Sequence, residues 1–212
     1  MNIKISVYDF FAYTIPGSLL LFSVAYTLII FGILPVEALL FSPSLIQTAV
    51  IICLAYLVGL LFEPIGRTWY SLFRPKNHSE VVLSELRNRY PLYDVNFHGK
   101  DWTVLLAHIR RENPDIAAEA ERVNATNILL RNTSFILIVL AIIELVRFAM
   151  QFEFLHLIIS VLLIIFSIVA GREAVKFAQW FYLGIFENIL STALQLSKLV
   201  SVKQEKVKKS RT

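Results

Sequence analysis

Four apolar blocks of bilayer-spanning length constrain this chain more than any other feature. They are residues 17–34 (GSLLLFSVAYTLIIFGIL), 45–62 (LIQTAVIICLAYLVGLLF), 133–150 (TSFILIVLAIIELVRFAM) and 154–171 (FLHLIISVLLIIFSIVAG). A helix needs about 20 mostly apolar residues to cross the hydrocarbon core. Lipid offers the backbone no hydrogen-bond partners, so each block must satisfy its own amides, and a helix does this within one segment. Composition agrees: 57% of the residues are apolar, 17% are charged, and the mean hydropathy of +0.65 is well above that of a soluble domain. The fold class expected is all-α, a polytopic membrane protein with four transmembrane helices. A helical cytoplasmic insertion separates helices 2 and 3, and an amphipathic helix follows the fourth.

The first block reads as a retained anchor. Met1 to Tyr8 carries only Lys4, and no small-residue cleavage site follows. Ser6 is a plausible N-cap for a short interfacial helix over 7–14, with Asp9 adding negative charge to its first turn. Pro16 and Gly17 read as a hinge between that helix and the first span. The connection 35–44 holds two prolines and Glu37 but no Lys or Arg. In the second block Ala55 and Gly59 have the small-xxx-small spacing that lets two membrane helices approach closely, though such pairs also arise by chance. Glu63-Pro64 and Gly66-Arg67 are expected to end this helix at an interface marked by Trp69, Tyr70 and Phe73.

Residues 67–131 differ in kind, with ten basic and eight acidic side chains. Asn77 and Ser79 can start a helix that Tyr90-Pro91 ends. Asp101 can cap a second, over 102–112, closed by Asn113-Pro114. Asp115 can cap a third, which meets no breaker and is expected to run into the third span as one rod. The domain boundaries expected are 1–66, 67–131, 132–171 and 172–212. The last holds the amphipathic segment and a basic tail with Lys203, Lys206, Lys208, Lys209 and Arg211.

Charge placement orients the chain. Of 20 Lys and Arg residues, 19 fall in the N-terminal stub, the middle segment or the C-terminal region; Arg147 is the exception. Four crossings put all three regions on one side, which the positive-inside rule makes the cytoplasm, with both termini there. The rival is a fifth span over 177–196. It contains Gln179, Glu187, Asn188 and Gln195, and better suits a helix lying on the inner leaflet or packing against the middle domain.

Residue chemistry points away from catalysis. The glycines never reach a phosphate-binding spacing. His78, His98, His108 and His156 form no i, i+4 pair, and Cys53 is the only cysteine, so no metal set or intramolecular disulfide is expected. His98 and His108 flank Asp101, a pattern that ordinary surface residues explain as well. No enzyme activity and no cofactor are expected. Glu144 stands out: it lies roughly 18 Å into the third block at 1.5 Å per residue, a depth at which an ionisable group faces the protein interior or water. Arg147, three residues on, suits an ion pair with it. The two are either a structural pair or the lining of a pathway or gate. With both flanking segments cytoplasmic, the triplets at Asn124 and Asn132 are chance matches to the glycosylation pattern. The basic tail suits anionic lipid or a positive-inside anchor, and its lack of interleaved aromatics argues against nucleic acid.

The opening YDFFAYTIPGSLLL is similar to the start of many uncharacterised bacterial membrane proteins. The order of elements resembles that of the small multi-span membrane components of bacterial anti-phage defence systems. These include the four-span subunit of the Kiwa system and the membrane accessory proteins paired with RNA-guided RNA nucleases. The resemblance implies a homo-oligomeric inner-membrane sensor or membrane-perturbing effector, with a cytosolic partner docking on 67–131. A channel or transporter subunit using Glu144 and a passive scaffold for a cytosolic enzyme are the alternatives.

Overall fold

The computed structural model describes residues 7–39, 43–91 and 97–209, with 38–39 and 193–209 as backbone only. Helices dominate, and no strand occurs among the described residues. α1 spans Val7–Ile30, α2 Leu45–Tyr70, α3 His78–Arg89, α4 Trp102–Glu112, α5 Pro114–Gln151 and α6 Phe154–Lys209, with 3-10 turns at Val36–Leu39 and Gly99–Asp101. α1, α2, α5 and α6 are each long and apolar enough to cross a membrane, as in a multi-pass membrane protein.

Several expected boundaries are corrected. The interfacial helix over 7–14 and the hinge at Pro16-Gly17 do not exist as separate features, because α1 runs through both. Proline removes one ladder bond, but here Pro16 and Gly17 are buried and the helix is held through that point by packing. α1 stops at Ile30 instead of residue 34. Gly32 takes φ +69°, and the amides of Gly32 and Ile33 return to the carbonyls of Ile29 and Leu28, a Schellman closure. α2 likewise passes Pro64 and Gly66 and ends only at Tyr70. Its start is a capping box between Ser44 and Gln47.

The caps at Asp101 and Asp115 also differ. The Asp101 carboxylate accepts the His98 amide at 2.8 Å, within the 3-10 turn, and makes no side-chain cap bond to α4. α5 begins at Pro114, where a missing amide is harmless, and Asn113 Oδ1 accepts the Ile116 amide at 3.4 Å. α6 does not end at residue 171. All seven prolines lie at or before residue 114, so nothing removes a ladder bond from the rest of α5 or from α6. Ser6 and Arg211 lie outside the described residues. Lys203, Lys206, Lys208 and Lys209 belong to the backbone of α6.

The chain forms two compact units, residues 1–74 with 124–177, and 75–123 with 178–212. In the first, α1 and α2 approach until side chains have no room between them. A Cβ on Gly59 would lie 2.0 Å from the Tyr13 carbonyl oxygen, and one on Gly17 1.8 Å from that of Ala55. α5 and α6 are laced by serines: Ser134 Oγ donates to the Ser167 carbonyl and Ser167 Oγ to the Ser134 carbonyl, each at 2.7 Å. Ser160 Oγ donates to the Ala141 carbonyl at 2.8 Å. Each bond gives a hydroxyl in lipid a partner on the neighbouring helix.

The second unit has an apolar core of its own. Val82, Leu83 and Leu86 of α3, Ile109 of α4 and Ala117 of α5 bury themselves against Phe181, Ile185, Phe186 and Leu190 of α6. The stretch from Phe181 to Leu190, inside the candidate fifth span, therefore packs against the middle helices. His78 is buried with its ring 5.9 Å from that of Tyr182.

Candidate functional site

The buried polarity of the first unit collects on three apolar helices. Glu144 on α5 is 4% exposed, and its two carboxylate oxygens are divided between neighbours. The Tyr26 hydroxyl on α1 donates to Oε1, and Nδ1 of His156 on α6 lies 2.7 Å from Oε2. Arg147 donates from Nη1 to the Tyr26 hydroxyl oxygen at 2.5 Å, and its guanidinium carbon sits 5.6 Å from the centroid of the same ring. Tyr26 thus accepts from the cation and donates to the anion. The direct Glu144–Arg147 ion pair expected from their spacing is replaced by this bridge. A phenol can do both jobs at once, and the tyrosine face adds a cation–π contact.

His156 completes the network. It is 5% exposed, and its Nε2 lies 3.5 Å from Oε2 of Glu153 in the turn between α5 and α6. That separation is too long for a well-formed hydrogen bond, and Nε2 is buried without a partner.

A second charged contact lies elsewhere in the same unit. Arg131 of α5 and Glu63 of α2 form a salt bridge with side chains 10% and 13% exposed, and Glu63 also accepts from Arg67 Nη2 at 2.8 Å. Close by in sequence, Trp69 Nε1 donates to Ser134 Oγ at 3.0 Å. Asn132 packs its amide against Gly66, with neither Oδ1 nor Nδ2 hydrogen-bonded, beside a small cavity lined by Pro16, Leu20, Gly59 and Phe62.

Reading the sequence residue by residue singled out Glu144 and Arg147 but missed Tyr26, His156, Glu63 and Arg131. A signal for the first two was present. In an up-and-down arrangement the C-terminal ends of the first and third spans lie with the start of the fourth. Tyr26, Glu144, Arg147 and His156 all sit in those stretches. Ala55 and Gly59 lie at the α1–α2 crossing described above, and Cys53 is exposed. Among the described residues no three His, Cys, Asp or Glu side chains come together as a metal set. No protein-family profile, curated protein or solved structure matches the chain.

Chemically, the network is a tie. It joins three helices through hydrogen bonds that would each be costly to leave unmade in lipid, and it contains a carboxylate–imidazole contact able to exchange a proton.

Proposed function

We propose that this chain is a non-enzymatic sensor of the bacterial inner membrane, in a defence or stress module, that works as a homo-oligomer. Both termini face the cytoplasm, and a cytosolic partner docks on the helices within 67–131. One observation carries the sensing role. α5 and α6, which hold Glu144 and His156, also supply Ala117, Phe181, Ile185 and Phe186 to the second core. Each helix runs unbroken from network to core, so a change in the bonding of Glu144 has a covalent route to the docking module. The orientation rests on the basic residues, and the defence setting on the architectural resemblance alone.

The occupied carboxylate favours this reading over an ion channel using Glu144, because both oxygens already serve Tyr26 and His156. A passive scaffold leaves the three-helix tie without a purpose.

The test is amide hydrogen exchange on the full chain in lipid nanodiscs, wild type against Glu144→Gln. The sensor reading expects protection within α3 and α4 to change in the variant. Unchanged protection there removes the transmission. Strictly monomeric protein in mild detergent removes the homo-oligomer. Depolarisation of expressing cells by the wild type alone, lost in Glu144→Ala at equal abundance, replaces the sensor with a pore-forming effector.

A further inference from the structure

We propose that Glu144, His156 and Glu153 form a proton-binding site, with the His156 imidazole carrying the exchangeable proton. The two ring nitrogens face two different carboxylates, Nδ1 at 2.7 Å from Glu144 Oε2 and Nε2 at 3.5 Å from Glu153 Oε2. An ionised carboxylate only accepts hydrogen bonds. A neutral imidazole has one N–H, so it serves one carboxylate and turns a lone pair towards the other; the imidazolium serves both. The second proton on His156 therefore has a defined place, and its departure has a defined consequence.

The two carboxylates have different roles because their surroundings differ. Glu144 is enclosed and already holds the Tyr26 hydroxyl. The Glu153 side chain is 65% exposed, so it is the group through which a proton reaches the ring. A proton taken up by the Glu153 carboxylate from water passes to Nε2, the carboxylate is regenerated, and the site gains one unit of positive charge. Rotation of the exposed Glu153 side chain closes the 3.5 Å gap, which gives the partnerless buried Nε2 its partner.

The charged and titratable groups around the ring come from three helices and the turn: Tyr26 of α1, Glu144 and Arg147 of α5, and Glu153 before α6. Arg147 is engaged by the hydroxyl and ring of Tyr26. Oε2 of Glu144 is thus left to the imidazole. The site stands on its own geometry, whatever the protein does with the signal. Under the sensor reading, the stimulus is acidity on the side of the membrane that bears Glu153.

The test is nitrogen NMR of the full-length chain, labelled at its histidines, in nanodiscs, with the His156 signals assigned by their loss in His156→Asn. The pH is scanned from about 4 to about 9, the range that brackets an ordinary histidine. The expected result is that both ring-nitrogen signals of His156 pass between the imidazolium and neutral patterns. Glu153→Gln, at an exposed position that does not threaten folding, is expected to move the midpoint to lower pH by removing the negative charge that faces the second proton, although the amide oxygen can still accept a hydrogen bond. Signals of His156 that stay constant over the range overturn the proposal, and so does a midpoint unchanged in Glu153→Gln. The ring signals report the proton directly, so they read this site even where no change reaches α3 and α4.

Discussion

The Tyr26 hydroxyl donates to Glu144 Oε1 while accepting from Arg147 Nη1, so a single phenol on α1 holds together the anion and the cation of α5. Its removal exposes the cost of both. Tyr26→Phe keeps the ring and the cation–π contact but leaves Glu144 and Arg147 each short of a partner. The expected loss is about 1–3 kcal/mol, as for a buried charged group left unsatisfied. Thermal unfolding in detergent would report it, and a Tyr26→Phe, Glu144→Gln double-mutant cycle should give clear non-additivity. Additive effects would mean that the two residues do not act together.

Glu63 and Arg131 should behave as a buried ion pair. Glu63→Gln alone leaves the Arg131 guanidinium without its counter-charge and should be strongly destabilising, by about 3–5 kcal/mol in a fully desolvated pair and somewhat less here, because the two side chains keep 10% and 13% exposure. Replacing both with Leu and Met should recover most of the loss. Fluorescence-detected size-exclusion after heating would rank the three variants. A double variant no better than Glu63→Gln argues against the pairing.

Gly59 and Gly184 make a matched pair for substitution by Ala. A Cβ at Gly59 meets the Tyr13 backbone at 2.0 Å, so α1 and α2 must move apart, and thermal stability should fall sharply. At Gly184 nothing lies within 4 Å of the new methyl, and Ala in a helix interior should raise stability by about 0.8–1 kcal/mol. Equal responses in a thermal-shift assay would contradict the close crossing of α1 and α2.

Phe186 lies at the centre of the second core with no exposed surface. Phe186→Ala should cost about 3–5 kcal/mol through lost burial and a residual cavity. Limited proteolysis between α3 and α4 would detect the loosened core. Cleavage no faster than in the wild type would show that α6 is not part of it.

Residue types and their order were enough to find the four apolar helices, the starts and ends of α3 and α4 within a residue or two, and the passage of α5 into the third span without a break. These follow from local rules: apolar run length against bilayer thickness, and breakers such as Asn113-Pro114. Where local rules failed, they failed at helix ends. Pro16, Pro64, Gly66 and Gly171 each look like a boundary, yet each lies inside a helix. Pro16, Gly66 and Gly171 are buried against neighbours, with Ala55 beside Gly17, Asn132 at Gly66 and the Phe73 ring at Gly171, whereas Pro64 is exposed.

The sequence by itself determined that this chain is helical, that its helices are long and apolar enough for a membrane, and that a charge lies deep in one of them at Glu144. The cause in each case is a property of one segment and the solvent it must face. Only the tertiary structure decided who shares that charge. Tyr26 and His156 stand 118 and 12 residues from Glu144, and no periodicity links positions that far apart. Their meeting depends on how three helices pack side by side, where the cost of an unpaired polar group in lipid selects one arrangement.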